Sequence, residues 1–169
     1  MNLGDEPVLG NEIRESGEVE AQTRERIRSL LDRERFAVLC TQGEGQPYGS
    51  LIALTVDETL RTAVFATSRA TRKYRLLSSC DRVAFLVDDR DRHPDELMSV
   101  EAVTATGRAR EISDSGERAR WSELLLAGHP DFGEFLAAPS TALFCIDVVR
   151  YLHVGRFQEV RQWLPPSRE

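Results

Sequence analysis

The sequence predicts a mainly β protein: a closed or partly closed antiparallel barrel of six strands with flanking helices. Three observations carry this. Six segments, "RFAVLCTQ", "PYGSLIALTVD", "RTAVFATS", "DRVAFLVDD", "SVEAVTATGRARE" and "TALFCIDVVRYLHV", are rich in β-branched and aromatic residues. Short joints of hairpin type, "GEGQ" and "DETL", separate the first two pairs. Helical patterning is confined to a few places, whereas a doubly wound parallel sheet would alternate strand and helix throughout.

Taken in order, residues 1–17 carry Gly, Pro and acidic residues without periodicity and are expected to form an N-terminal arm, with residues 18–169 as one domain. "EVEAQTRERIRSLLDRER" reads as a helix with a narrow apolar stripe at Ile27, Leu30 and Leu31, placed on the outside of the domain. Between the third and fourth strands "TRKYRLLSSC" reads as a short helix. "SDSGERARWSELLLAG" reads as a longer one, capped by Ser113 or Asp114, striped by Trp121, Leu124 and Leu125, and stopped by Gly128 before Pro130. A shorter helix, "DFGEFLA", follows it.

A chain of 169 residues is long enough for one domain that buries roughly two-thirds of its unfolded surface. Its 41% hydrophobic and 30% charged residues are those of a soluble globular protein, and no apolar run approaches the ~20 residues that span a bilayer. The acidic N-terminus lacks a basic-then-apolar signal pattern, so the chain reads as cytoplasmic, with no membrane partner. A net charge of −6 argues against general nucleic-acid binding, which needs an extended positive surface. Cys40, Cys80 and Cys145 are an odd number, far apart, and read as reduced, packed thiols.

Against this acidic background "VFATSRATRKYRLL", residues 64–77, gathers Arg69, Arg72, Lys73 and Arg75 at the start of a helix. If Ser68 caps that helix, the backbone N–H groups of Arg69, Ala70 and Thr71 are left at its positive end, an anion site in outline. Arg69, Arg72 and Lys73 are spaced to share one face, and Tyr74 and Leu77 another that packs inward. Hydroxyls of Thr67, Ser68 and Thr71 add neutral donors, and a terminal phosphate matches the set. The competing reading is a solvated basic helix face paired with acidic loops.

The order of "RFAVLCTQGEGQPYGSLIAL", "VFATSRATRKYRLLSSCDRVAFLVDD" and "AVTATGRAREI" behind a leading helix resembles the pyridoxamine 5'-phosphate oxidase-like family of FMN-binding split barrels, over most of residues 20–112. The resemblance implies a six-stranded split barrel whose strand, Ser/Thr-rich turn and basic helix hold the FMN phosphate. Carried over by position, the phosphate set is Thr67, Ser68, Thr71, Arg72 and Lys73. Gly49, Ser50, Leu51 and Ile52 then lie along the isoalloxazine and ribityl chain, and Phe65 and Ala66 are backbone or packing neighbours of the flavin. Small residues at Gly49 and Ser50 suit close approach of a flat ring to a strand. The resemblance also implies a homodimer with two cofactor sites at the interface. Trp163, otherwise a tail anchor, would reach a flavin across that interface.

The expected function is that of an FMN-dependent oxidoreductase acting on an unidentified small substrate. A non-enzymatic flavin-binding or sensory protein is the alternative, as is a relative that binds deazaflavin or haem. His153 and Arg156 do not align with the C-terminal Arg/His arrangement that grips pyridoxal in the oxidases, so the substrate stays open and no catalytic residue is assigned. "DDRDRHPDEL" reads as a solvated loop rather than a metal site, and the three histidines are too scattered for a zinc motif. "GEGQPYG" is followed by a strand where a dinucleotide loop requires a helix, and no Ser/His/Asp spacing supports nucleophilic catalysis.

Overall fold

The computed structural model describes residues 17–156 and 159–166, so the expected arm at residues 1–17 lies outside the described residues except for Gly17, which begins the first helix. Among the described residues four α-helices, α1 (Gly17–Arg33), α2 (Arg72–Ser79), α3 (Ser115–Gly128) and α4 (Gly133–Ala137), accompany eight strands. The strands are β1 (Phe36–Gly43), β2 (Gln46–Ala53), β3 (Thr55–Val56), β4 (Thr62–Ser68), β5 (Arg82–Asp88), β6 (Ala102–Glu111), β7 (Thr141–Gly155) and β8 (Glu159–Trp163). All pairings are antiparallel, in the order β2-β1-β5-β6-β7-β4-β3, with β8 added to the far half of β7.

The antiparallel split barrel is the expected fold, with two more strands than the six read from the sequence. The segment "PYGSLIALTVD" breaks at Leu54, so that β2 pairs with β1 while β3 pairs with β4. The other addition is β8, in a tail too polar and too short to stand out, which is ordered by pairing Trp163 with Tyr151. Leu54 thus sits where the two ends of the ladder meet.

Local chemistry explains the elements. The β1–β2 joint is a two-residue turn in which Glu44 (φ 55°) and Gly45 (φ 74°) both take the left-handed conformation that matches strand twist. Alternation sends Ala37, Leu39, Val83, Phe85, Val87, Val103 and Ala105 into the barrel. At Thr106/Gly107 the β6–β7 register shifts, and a Cβ at Gly107 would lie 2.4 Å from the carbonyl oxygen of Asp147, so the bulge demands glycine.

The near half of β7 is buried on both faces. Ala142, Phe144 and Ile146 face the barrel, and Leu143 and Cys145 face a second cluster with Trp121 and Leu125 of α3 and Leu136 of α4. Asp114, one of the two expected caps, starts α3 by accepting the Glu117 N–H at 2.7 Å. As expected, α1 lies on the outside of the barrel and packs by a narrow stripe: Ile27 and Leu30 are fully buried in the main core and Leu31 packs against it, while most of its other residues are exposed. The "DDRDRH" segment is less solvated than expected: Asp89 is buried and accepts the Glu101 N–H at 2.8 Å, while Arg33 approaches its other oxygen at 3.5 Å. Among the described residues no disulfide forms; Cys145 is buried, Cys80 half-buried and Cys40, against expectation, exposed. Among the described residues no helix is long and apolar enough to cross a membrane.

Candidate functional site

Between β2 and β4 the barrel ladder is interrupted, and the interruption leaves a backbone edge open. Leu54 N–H donates to Arg35 O at 3.1 Å, in register with the Phe36↔Ala53 pairing. Because bonded and non-bonded pairs alternate in an antiparallel ladder, Gly49, Leu51 and Ala53 turn their N–H and C=O groups away from β1. One of these groups has a partner already: Lys73 Nζ donates to Leu51 O at 2.9 Å, crossing the seam from α2.

A groove of about 360 Å³ runs along this seam. Leu51, Ile52 and Ala53 form one side and Ala66, Thr67 and Ser68 the other, with Thr71 and Lys73 at one end and Phe36, Phe132 and Phe135 forming an aromatic wall. Two of its side chains are large, apolar and well exposed, Phe36 at 56% and Leu51 at 66%. The wall is pinned by His129, whose ring lies 6.0 Å from Phe36 and 5.3 Å from Phe132 and whose Nε2 is 3.2 Å from Leu54 O.

The start of α2 differs from expectation, and the difference redistributes the charges. Thr71, not Ser68, is the cap: its Oγ1 accepts from Tyr74 N at 3.3 Å and is 3.0 Å from Thr67 Oγ1. The three N–H groups expected to be free are used. Arg69 N donates to Ser140 O at 2.8 Å, Ala70 N to Ser68 Oγ at 3.2 Å and Thr71 N to Ser68 O at 3.1 Å. The helix therefore begins three residues later, and the first-turn N–H groups without a place in its ladder are those of Arg72 and Lys73.

Arg69, outside the helix, cannot share a helical face with Arg72 and Lys73. Its guanidinium pairs with Glu111 and donates to Tyr74 Oη at 2.7 Å, and Tyr74 Oη donates to Glu111 at 3.1 Å. Arg72 lies over the Tyr48 ring, 4.9 Å from its centroid, and lines a different hollow, against the β1–β2 turn, together with Arg75. Lys73 alone of the four cations lines the seam groove. Partial burial holds its ammonium below the usual lysine range.

Of the other sequence-predicted residues, Leu51, Ile52, Ala66, Thr67, Ser68 and Thr71 line the groove with Lys73. Gly49 is exposed on the open edge, where a Cβ would meet only Val38 Cγ1 at an ordinary 3.5 Å, so packing within the chain does not require glycine there. Ser50 Oγ is buried without a hydrogen-bond partner among the described residues. Phe65 points into the barrel, stacks on Phe144 at 5.4 Å and pairs through its backbone with β7, so it does not line the groove. Trp163 is 4% exposed, packs on Tyr151 at 5.8 Å and lines a separate hollow beside α1.

Sequence reasoning missed Phe36, Phe132, Phe135 and His129. The apolar spacing of Phe132 and Phe135 was visible, but nothing in the sequence ties it to a seam some sixty residues earlier.

Solved structures share this architecture. A haem-binding protein from Mycobacterium smegmatis superimposes with a TM-score of 0.74 at 18% identity, over 90% of this chain and 60% of that one. An FAD-binding protein from Mesorhizobium loti gives 0.60 at 18% identity, over 76% and 91%. General stress protein 26 from Bacillus anthracis gives 0.61 at 16% identity, over 79% and 94%. At such identities the likeness carries the fold. No curated protein matches the sequence. The family model described as pyridoxamine 5'-phosphate oxidase matches residues 23–155, from the second turn of α1 through the end of β7 and so both sides of the groove, and the chain belongs to that family.

Proposed function

We propose that the seam groove holds FMN and that the protein is a flavin-dependent oxidoreductase acting on a small substrate. One observation carries the reading: Lys73 and the hydroxyls of Thr67, Ser68 and Thr71 meet an open strand edge and an aromatic wall in the same groove. The residues fit the cofactor. A phosphate suits the ammonium, the hydroxyls and the first-turn N–H groups of α2. The N–H and C=O groups of Gly49, Leu51 and Ala53 offer an alternating donor and acceptor edge to a heteroaromatic ring, and the bare surface at Gly49 leaves room beside it. Arg72 joins the phosphate set only by leaving Tyr48.

Bound FMN would supply hydride and electron transfer. The chain's own residues then have three tasks. Lys73 and the α2 start fix one end of the cofactor, the β2 edge orients its ring, and Phe36, Phe132 and Phe135 keep water from one side.

The groove is open, and its rim is apolar at Phe36 and Leu51. A second copy of the chain covering that rim would complete it, as a twofold contact in which the same surface serves both partners.

The second reading is a flavin-binding protein without turnover, favoured because Lys73 is the one ionisable side chain among the described groove residues. Haem ligation is a poorer match there: the histidine packed on the aromatic wall, His129, has its Nε2 at Leu54 O. Reconstitution decides between them. Flavin bands in the purified or FMN-loaded protein with oxidation of a reduced nicotinamide support the enzyme. Flavin bands without turnover support the binder, and a Soret band with no flavin uptake overturns both.

A further inference from the structure

On another part of the barrel, β7, β8, α1 and the Leu97–Ser99 turn enclose a pocket of about 280 Å³ that shares no residue with the seam groove. His153 forms its floor. This residue sits in β7 opposite Arg161 of β8 and is 1% exposed. Neither its Nδ1 nor its Nε2 has a hydrogen-bond partner among the described residues. Glu101 Oε1 approaches Nε2 at 3.4 Å without the alignment of a hydrogen bond. A buried imidazole with both nitrogens unserved is costly, and such groups belong where something else serves them.

What surrounds His153 defines that something. Three guanidiniums line the pocket, Arg26 from α1, Arg156 from the β7–β8 turn and Arg161 from β8, with the carboxylates of Glu101 and Glu159. Arg26 donates to Glu101 Oε1 at 3.1 Å and Arg161 to Glu159 Oε1 at 3.1 Å. Arg156, held at φ 47°, comes only to 3.8 Å from Glu159. Among the described lining residues, with a neutral imidazole, the guanidiniums outnumber the carboxylates by one. Gly155 keeps the floor clear: a Cβ there would lie 3.5 Å from His153 Cε1 and 3.9 Å from Glu101 Oε1.

We propose that this pocket is a binding site for a small monocarboxylate. One excess charge matches one carboxylate, whereas a phosphate dianion would be over-charged beside Glu101 and Glu159. The fork of a guanidinium fits a planar carboxylate, and the His153 N–H supplies a donor from below. The pocket, about 280 Å³, has room for a short acid. Met98, on the rim, offers the acid's carbon end an apolar surface.

The test follows the imidazole Cε1–Hε1 signals of His93, His129 and His153 in the full-length protein, with the His153 signal assigned by its loss in His153→Gln. Acetate, propionate and inorganic phosphate are titrated at constant ionic strength and pH 7.5. Acetate and propionate are expected to move the His153 signal saturably and leave His129 in place. Arg156→Gln is expected to weaken that response at least about tenfold, the loss of one charge-assisted contact. Because Arg156 is exposed, unchanged His93 and His129 signals in that variant show that the fold survives. A His153 signal that stays still, or drifts without saturation, overturns the proposal and leaves the pocket to water. Equal or stronger response to phosphate overturns the carboxylate assignment, as does full retention of binding in Arg156→Gln.

Discussion

Replacing Lys73 by alanine tests the seam groove most directly, because the structure separates this residue from its basic neighbours. Lys73 Nζ is in the groove, 2.9 Å from Leu51 O, and its partial burial already disfavours a lone ammonium. An incoming phosphate would gain one charge-assisted contact from it, worth about 1.5 to 3 kcal/mol, so Lys73→Ala should weaken FMN by about 12-fold to 150-fold. Riboflavin, which has no phosphate, should weaken by no more than about threefold in the same variant. Arg72 is the internal comparison. Its guanidinium lies over Tyr48, a stacked contact worth about 0.5 to 1 kcal/mol at an exposed site, and Arg72→Ala should change FMN affinity by no more than about fivefold. The assay is quenching of flavin fluorescence, titrated with both ligands on wild type and both variants, with thermal melts to confirm folding. Equal weakening of FMN and riboflavin by Lys73→Ala would refute a phosphate role for this lysine. A larger effect from Arg72→Ala than from Lys73→Ala would show that Arg72 leaves Tyr48 and that the phosphate lies nearer the hairpin.

Further outcomes are expected elsewhere. Leu51→Asp should convert the proposed dimer to a monomer in light scattering at micromolar concentration, since it places a charge in the apolar rim; a mass equal to that of the wild type would move the proposed interface off this face. Gly107→Ala should be among the most damaging single changes, costing several kcal/mol and lowering the melting temperature by roughly 10 °C, because the new Cβ would meet the Asp147 carbonyl at 2.4 Å. Tyr151→Phe removes a buried hydroxyl that donates to Leu60 O at 2.8 Å and should cost about 1 to 2 kcal/mol, or about 2 to 8 °C. Burial holds His153 below its ordinary pKa of about 6.5; Arg26 and Arg161 reinforce this and Glu101 opposes it. The unfolded chain then binds the proton that the folded chain refuses, so stability should fall as pH drops below about 6.5, and His153→Gln should flatten that slope in denaturant titrations from pH 7.5 to 5.

The strands were legible because burial imposes a two-residue period on them. Val83, Phe85 and Val87 alternate with half-buried neighbours in β5, and the near half of β7 is continuously apolar because it is covered on both faces. Two strands escaped for a physical reason. The break at Leu54 is a change of pairing partner, from β1 to β4, made without any turn residue, and β8 is a polar segment whose order depends on the Tyr151↔Trp163 pairing. Composition does not record either. The groove's hydroxyls and its lysine were visible as a local cluster. Its aromatic wall was not, because Phe132 and Phe135 reach the seam only after α3 has crossed the outer face of β7.

The fate of the four cations shows how much can turn on one cap. Ser68 and Thr71 are both good N-cap residues, and nothing in "TSRATRK" ranks one above the other. Tertiary contacts decide it: Arg69 N–H pairs with Ser140 O, which extends the chain alongside the start of β7, and Thr71 Oγ1 is fixed between Thr67 Oγ1, Ser68 O and Tyr74 N. Moving the cap by three residues removes Arg69 from the helix altogether, so it no longer shares a helical face with Arg72 and Lys73. Arg69 then finds Glu111, Arg72 finds Tyr48, and Lys73 is left to cross the seam. A positive cluster in the sequence thus becomes three separate sites in the fold, and only the lysine remains where an anion beside the β2 edge could meet it.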